Sequence, residues 1–226
     1  MVPDLINIIA PGICCGCGGT LVRNETLICT ECYYHLPKTN FHKESGNMVE
    51  QMFWGRTKIE NATAFYYYTK GSRVQQIIYH LKYKNQKEIG YELGKEFAYS
   101  LKGTPYEQTD LIAAVPLHIV KYKKRGYNQS YWIAKGLAEI LKKPVEVNNI
   151  TRKIDSFTQT HKSRYERWEN LSDGFFVRNV EPFRNKHILL IDDVITTGAT
   201  LEACVNTLLS IPGTRISIAV LAIATN

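Results

Sequence analysis

A stretch of fourteen residues, HILLIDDVITTGAT (187–200), constrains the fold of this chain more than any other feature. Residues 188–191 are an unbroken apolar run, without the two-residue period of a half-buried strand or the 3.6-residue period of a helix. Short runs of this kind are typical of strands that are buried on both faces of a parallel sheet. The stretch therefore predicts an α/β fold with a mostly parallel central sheet flanked by helices.

Two carboxylates and a small, hydroxyl-rich turn follow the apolar run. Asp192 and Asp193 stand where we expect the strand to end, which is the edge at which open α/β sheets bind ligands. In the turn, a glycine lets the backbone approach an anion, and threonine hydroxyls and free N–H groups can donate to phosphate oxygens. The predicted phosphate-binding residues are Thr196, Thr197, Gly198, Ala199 and Thr200.

The two aspartates require a different partner, because carboxylates and phosphate oxygens repel each other. They are suited to accept hydrogen bonds from sugar hydroxyls or to hold a metal ion. A phosphorylated sugar would satisfy both the acids and the turn. The competing interpretation is a buried strand and a polar turn that follow each other without a shared role.

A second buried strand is predicted over residues 110–115 (DLIAAV), followed by a cationic segment, 116–130, and a helix over 131–142. We expect this segment to form another anion site, with Arg125 as its main residue, because a guanidinium binds pyrophosphate through two hydrogen bonds. His118 is a candidate ligand contact, although a lone histidine is more often a packing residue. Asn128 and Ser130 are as well suited to cap the helix as to bind a ligand.

Four cysteines near the N-terminus form the pattern C-x2-C-x11-C-x2-C. Paired C-x2-C elements in a cytosolic protein indicate metal rather than disulfides, and four thiolates complete a closed, structural Zn²⁺ site. The predicted ligands are Cys14, Cys17, Cys29 and Cys32, with Cys15 and His35 as possible replacements. Redox cysteines are the alternative, but they would leave the second pair unexplained.

The basic residues of the chain are concentrated in its centre. Residues 61–186 carry 22 basic and 12 acidic side chains, within a chain of net charge +7. This excess could favour nucleic acid or a pyrophosphate-bearing substrate, although a solvated basic face is the commoner explanation. Solvation is likewise our interpretation for Lys82 and Lys84. The polar stretch 150–170 could close over a bound anion or form a disordered loop.

Length and composition predict one main domain with a small appendage. The chain has 226 residues, 44% hydrophobic and 22% charged, enough for a full core. We expect a zinc-ribbon-like segment over 1–40, a connection over 41–60 that Phe53 and Trp54 anchor, and the main domain over 61–226. A short amphipathic turn or helix is predicted over 3–9, and Ser72 is a candidate N-cap for a helix in which Val74, Ile77, Ile78 and Leu81 recur at helical spacing. The apolar runs are too short to span a membrane, so we expect a cytoplasmic protein without membrane insertion.

The sequence LLIDDVITTGAT resembles the motif with which type I phosphoribosyltransferases bind phosphoribosyl pyrophosphate (PRPP). The wider pattern is similar to the competence protein F (ComF) family: the paired C-x2-C elements, VPLH, RGYNQ, a T-R…Q…R stretch and ERWEN. These landmarks run from Cys14 to Thr200. The resemblance implies a type I phosphoribosyltransferase fold with an N-terminal zinc-ribbon-like segment.

The resemblance also implies residue roles. Asp192 and Asp193 would take the ribose hydroxyls of PRPP, and residues 196–200 its 5′-phosphate. The loop after Val115 would bind pyrophosphate with Mg²⁺ through Leu117, His118 and Arg125, of which Arg125 joins the two aspartates as catalytic residues. The expected reaction is displacement of pyrophosphate by an unknown acceptor, with a possible link to DNA uptake.

The alternative function is a nucleic-acid-binding competence accessory protein that keeps the fold and uses PRPP only as a regulator. Its partners would be single-stranded DNA or competence proteins, contacted by the cationic segment 121–125 and the stretch 152–167. A kinase or GTPase is disfavoured because the sequence G-x-x-x-x-G-K-[ST] does not occur. A complete amidophosphoribosyltransferase is disfavoured because position 2 is Val2 rather than cysteine.

Overall fold

The computed structural model describes residues 12–152 and 174–225. Its centre is a parallel sheet with the strand order β1-β7-β6-β2-β3. These strands are β1 (Asn61–Tyr68), β2 (Leu111–Ala114), β3 (Val145–Glu146), β6 (His187–Ile195) and β7 (Arg215–Ala224). The pairings between neighbouring strands are parallel throughout this sheet. The predicted fold class is therefore confirmed.

Helices cover both faces of the sheet and divide the interior into two cores. The helices are α1 (Thr30–His35), α2 (Met48–Gln51), α3 (Arg73–Tyr83), α4 (Glu88–Leu101), α5 (Ile119–Arg125), α6 (Gln129–Leu141) and α7 (Ala199–Leu209). Leu189 and Ile191 lie in the core beneath α3, α4 and α6, whereas Ile188 and Leu190 lie in the core beneath α7. Because alternate residues of a strand face opposite sides, burial on both faces requires an unbroken apolar run.

Close packing against α4 fixes the position of α6, which begins beside the carboxyl ends of β2 and β6. A side chain at Gly94 would collide with the Ile133 carbonyl oxygen, and one at Gly136 with the Tyr91 carbonyl oxygen. The two backbones can approach this closely only because both positions are glycine. The contact places the N-terminus of α6 at the sheet edge.

Several predicted elements differ from the structure. Strand β6 continues to Ile195, so Asp192 and Asp193 lie within the strand rather than after it. The cationic segment 116–130 contains helix α5, and β4 (Ile150–Arg152) pairs with β5 (Phe175–Val177) in a small antiparallel sheet. The predicted helix over 3–9 and most of the basic stretch 150–170 lie outside the described residues.

The connection between the cysteine-rich segment and the main sheet is anchored by only one of its two predicted aromatic residues. Phe53 is fully buried in the core beneath α7, as expected. Trp54 is 64% exposed, so its predicted anchoring role is wrong. Adjacent positions in this helical turn face different directions, and only one of the two rings can point into the core.

The cysteine-rich segment packs directly against the main core. Cys14 and Cys32 belong to the same hydrophobic cluster as Ile77 of α3. At Gly16 a side chain would approach both the Cys32 sulfur, at 3.1 Å, and the Ile77 Cδ1 atom, at 3.4 Å. The segment therefore supports α3, although the predicted domain boundaries stay a prediction. Within the described ranges, the helices are too short or too polar to cross a membrane.

Candidate functional site

The carboxyl ends of β2 and β6 bring together two segments that are distant in the chain. The strands are hydrogen-bonded neighbours, with Ala114 opposite Ile191. Asn128 donates its side-chain amide to the Val115 carbonyl at 2.9 Å and accepts from the Ser130 N–H, and thus caps α6. Of the two roles that the sequence left open for Asn128, the structure shows the helix cap. Parallel pairing therefore delivers the N-terminus of α6 to the end of β6.

Ser130 points at the acid pair instead of capping the helix. Its hydroxyl donates to Asp192 Oδ1 at 2.9 Å, across 62 residues of sequence. The N–H of Asp193 donates to the same oxygen at 2.8 Å. Asp192 is thus oriented by two hydrogen bonds, one local and one contributed by the neighbouring segment.

Asp193 is held by a lysine from the opposite side of the site. The Lys82 ammonium lies 2.9 Å from Asp193 Oδ1, and the two side chains are only 19% and 13% exposed. Our interpretation of Lys82 as a solvated lysine is therefore wrong. The sequence position of Lys82 did indicate that it faces inward. Residues four apart lie on the same face of a helix, and Lys82 comes four residues after the buried Ile78.

The environment of Asp192 favours its neutral form. Burial, followed by the negative charge of Asp193, raises the pKa of Asp192 to about 7. The hydrogen bonds from the Asp193 N–H and the Ser130 hydroxyl, together with the Lys82 charge, favour ionisation but do not outweigh burial. Near neutral pH the Asp192 carboxyl group can therefore accept a hydrogen bond or, when protonated, donate one.

The predicted phosphate turn leads from β6 into α7. Gly198 forms the N-cap of this helix with a φ of +77°. Residues other than glycine rarely adopt this backbone conformation. Thr196, Thr197 and Ala199 are exposed. A cavity of about 50 Å³ is lined by Asp192 and residues 194–201. The backbone N–H groups at the start of α7 are therefore accessible to an anion.

Arg56 supports this turn and was not predicted. Its guanidinium donates to the Thr197 carbonyl at 3.0 Å and forms an ion pair with Glu202 of α7. The residue comes from the connection 41–60, in which the sequence shows no periodic pattern. We find no sequence signal that would have singled it out.

The cationic segment after β2 is more ordered than predicted. Arg125 is the last residue of α5, donates to Gln129 Oε1 at 2.8 Å and lies 5.2 Å from the centre of the Tyr83 ring. His118 caps the same helix and accepts from the Val120 N–H at 3.3 Å. Leu117 lines a separate cavity of about 750 Å³. Arg125 thus contacts Tyr83, which is the last residue of α3 and follows Lys82 in the chain.

The four predicted metal ligands converge. The sulfur atoms of Cys14, Cys17, Cys29 and Cys32 all lie within 4.8 Å of one another. Backbone N–H groups point at the sulfurs, among them Gly16 to Cys14 at 3.4 Å and Gly19 to Cys17 at 3.4 Å. This is the knuckle geometry expected of paired C-x2-C elements, and the cluster fits a tetrahedral zinc ion.

The two possible replacement ligands are not part of this cluster. Cys15 is buried beside it, and burial, followed by the charge of Cys14, raises the pKa of the Cys15 thiol to about 12. His35 directs its Nδ1 atom at the Glu31 carbonyl, 2.9 Å away. By contrast, burial opposes ionisation of Cys14, yet the N–H groups that contact its sulfur lower its pKa to about 6.

Comparisons with known proteins agree with this arrangement. Residues 114–225 match the phosphoribosyl transferase domain family, so this part of the chain is a phosphoribosyl transferase domain. DNA utilization protein YhgH of Escherichia coli (strain K12) is 28% identical over 203 residues, which cover 88% of this chain and 84% of that protein. Competence protein F of Haemophilus influenzae is 36% identical over 97 residues, 41% of each chain. The chain is thus similar to proteins named DNA utilization protein and competence protein F.

Among solved structures, the glutamine PRPP amidotransferase from B. subtilis complexed with ADP and GMP is similar to part of the chain. The similarity has a TM-score of 0.45 and 18% sequence identity, and it covers 63% of this chain and 30% of that chain.

Proposed function

We propose that this protein is a phosphoribosyltransferase that binds PRPP with Mg²⁺ and displaces its pyrophosphate. The observation that carries the proposal is the position of the acid pair, directly before an open phosphate turn and beside the segment that follows β2. A sugar phosphate needs hydroxyl acceptors and phosphate donors a few ångströms apart. The competence and DNA utilization relatives support the family assignment without naming an acceptor.

In this proposal Asp192 and Asp193 accept hydrogen bonds from the ribose hydroxyls, and the turn 196–200 binds the 5′-phosphate. The segment that contains Leu117, His118 and Arg125 binds the pyrophosphate. Arg125 must then leave Gln129 or share its guanidinium with the ligand, which its five N–H donors allow.

The chemistry follows from the charges. When the bond between the ribose anomeric carbon and pyrophosphate breaks, the electron pair leaves with the pyrophosphate and the sugar becomes cationic. Carboxylates near the sugar stabilise this positive charge, and Arg125 neutralises the leaving group. Mg²⁺ would supply further positive charge at the pyrophosphate oxygens.

The two carboxylates at this edge of the sheet suit a magnesium ion that binds together with its substrate. Across the described ranges, the cysteine cluster is the one group of three or more converging His, Cys, Asp or Glu side chains, so side-chain carboxylates alone do not form a complete Mg²⁺ site there. Mg²⁺ is commonly held by one or two carboxylates, water and substrate phosphates. We therefore propose that PRPP provides most of its ligands.

The test is a thermal shift measurement. PRPP with Mg²⁺ should raise the melting temperature of the wild-type protein by several degrees. The double variant Asp192→Asn, Asp193→Asn should lose the shift but retain its zinc, whereas Glu181→Gln, at an exposed position, should behave like wild type. A wild-type protein that does not respond to PRPP would contradict the proposal. Pyrophosphate release screened against bases, amines and nucleic acid would then identify the acceptor.

We also propose that the cysteine cluster holds structural zinc and that the protein works in the cytoplasm. Four thiolates leave no coordination position for water, which argues against a catalytic role of the metal. All six cysteines are free of disulfides, as expected in a reducing compartment. Metal analysis of the purified protein should find one zinc per chain.

A second candidate function is binding of single-stranded DNA, favoured by the surface of α5. This helix has no buried residue and carries Lys121, Lys123, Lys124 and Arg125. Tyr122 and Tyr83 are 47% and 52% exposed and offer rings on which bases could stack. Affinity for an oligonucleotide should fall steeply with salt and drop in a Lys121→Gln, Lys123→Gln, Lys124→Gln variant. Binding that ignores salt would remove this candidate, and with it the expectation of a single-stranded DNA partner.

A further inference from the structure

Arg56 contacts two acceptor groups at the phosphate turn 196–200. Its guanidinium donates to the Thr197 carbonyl oxygen at 3.0 Å and forms an ion pair with the carboxylate of Glu202, which belongs to the first turn of α7. A hydrogen bond to the Met52 carbonyl oxygen, at 3.1 Å, ties the same guanidinium to its own segment. One arginine therefore joins the connection 41–60 both to the turn and to the helix that follows it.

The segment that carries Arg56 is held against the turn on both sides of this residue. Before Arg56, the fully buried Phe53 ring packs against the turn, since a Cβ atom at Gly198 would lie 3.5 Å from it. After Arg56, the Thr57 hydroxyl donates to the side-chain oxygen of Asn206 in α7 at 2.5 Å. The guanidinium therefore meets the turn in a position that the surrounding fold determines.

The N-terminus of α7 is weakly capped among the residues that the structure describes. Gly198, its N-cap, makes no side-chain cap hydrogen bond. The Thr197 hydroxyl approaches the Ala199 N–H at 3.5 Å, which is long for a hydrogen bond. Helix N-termini attract anions because the N–H groups without intrahelical partners and the helix dipole act together there. An anion at this position therefore meets little competition, provided that the neighbouring acceptors are engaged elsewhere.

The Glu202 carboxylate is the neighbouring acceptor that would compete most strongly with a phosphate. An acid in the first turn of a helix is attracted to the same N–H groups, and its charge repels a phosphate. In the ion pair with Arg56 this charge is balanced, and the two side chains are only 39% and 25% exposed. The described lining of the phosphate cavity includes neither residue, so Arg56 acts through the turn rather than on the ligand.

We propose that Arg56 is a positioning residue of the phosphate site. It engages the Thr197 carbonyl and balances the Glu202 charge, which leaves the N–H groups at the start of α7 to the 5′-phosphate. This inference rests on the proposed function, in which the turn 196–200 binds that phosphate. Arg56 lies outside the residues 114–225 that match the phosphoribosyl transferase domain family. Phosphate affinity therefore depends on a segment that precedes the domain in the chain.

The test measures the dissociation constant of ribose 5-phosphate by calorimetry, for the full chain and for variants whose melting curves show that they are folded. Arg56→Met should bind about ten times more weakly than wild type, because the Glu202 carboxylate then competes unbalanced with the phosphate. Adding Glu202→Gln should recover most of this loss, whereas a purely structural role of Arg56 predicts no recovery. Arg56→Lys should lie between wild type and Arg56→Met, because it keeps the charge without the fork of donors.

The matched control is Arg184→Met, which should bind ribose 5-phosphate like wild type. Arg184 also pairs with a glutamate, Glu181, and is 42% exposed, but it precedes the amino end of β6, at the opposite end of the strand from the turn. Wild-type affinity in Arg56→Met, or a loss that Glu202→Gln does not reduce, would overturn the role of Arg56.

The same variants separate this inference from the proposed function. If they behave as expected towards ribose 5-phosphate while PRPP does not shift the wild-type melting temperature, the role of Arg56 stands and the proposed function fails. If PRPP shifts the melting temperature of wild type and Arg56→Met equally, the proposed function stands and the role of Arg56 is overturned. A wild-type protein that binds neither ligand counts against both.

Discussion

The cysteine cluster and the acid edge are two sites that the same chain builds in different ways. All four cysteines lie within residues 14–32, and hydrogen bonds between close neighbours orient their sulfurs. The acid edge combines Lys82, Ser130, Asp192 and Asp193, which meet only through strand pairing and helix packing. A site that is built from one short segment can therefore be recognised from the spacing of its residues in the sequence. For a site assembled from distant segments, the sequence reveals only the residues that are close together in the chain.

The largest effect is expected from breaking the local site. Cys32→Ser removes a buried ligand at the contact with α3, so zinc should be lost and the free energy of unfolding should fall by more than about 3 kcal/mol. Metal analysis and denaturant unfolding would measure both. Cys15→Ser is the control: it is equally buried but outside the cluster, and should keep its zinc. Full zinc content in Cys32→Ser would refute the assignment.

A smaller effect is expected from breaking the distributed site. Asp193→Asn leaves the partly buried Lys82 ammonium without its carboxylate partner, which should cost about 1–3 kcal/mol of stability. The zinc content should not change. Adding Lys82→Met to this variant should recover part of the loss, with a coupling of about 1 kcal/mol in a double-mutant cycle. Strict additivity would show that the pair contributes nothing in solution.

The acid edge should also make stability fall as the pH rises towards neutrality. The pKa of Asp192 is about 7 in the folded protein, compared with 3.8 as its ordinary value, so the folded state holds the proton more tightly. The resulting stabilisation is complete below about pH 4 and is lost as the pH rises to about 7, with a limiting slope of about 1.4 kcal/mol per pH unit.

Urea unfolding of wild type and Asp192→Asn between pH 5 and 8 would measure this dependence. Other titrating groups are common to both proteins, so the difference in unfolding free energy isolates Asp192. Wild-type stability should fall relative to the variant up to about pH 7 and then level off. A difference that stays constant over this range would show that the Asp192 carboxyl group titrates at its ordinary pKa.

The smallest effect concerns the histidine next to the cysteine cluster. The His35 side chain is 51% exposed and contacts Glu31 on the same helix, so His35→Ala should change stability by no more than about 0.5 kcal/mol. Zinc content should remain at the wild-type level. A loss of zinc would instead place His35 among the ligands and weaken the contrast between the two sites.

Prediction from sequence succeeded where the interactions that determine a structure all lie within one short segment. The run 188–191, the spacing of the cysteines and the N-cap Ser72 are examples, since burial, metal geometry and capping act within a few residues. It was wrong about Lys82 and Trp54, because the direction of a single side chain at a helix end depends on what the rest of the fold places beside it. Arg56 had no local signal at all.

The amino-acid sequence alone determined the fold class, the four cysteines that converge, and the acid pair followed by its threonine-rich turn. Each of these depends on interactions between residues that are near one another in the chain. The pairing of Lys82 with Asp193, the hydrogen bond from Ser130 to Asp192 and the contact of Arg56 with the turn arose only when strands and helices packed. Parallel strands bring remote segments to one edge, and no short-range pattern records which side chains will meet there.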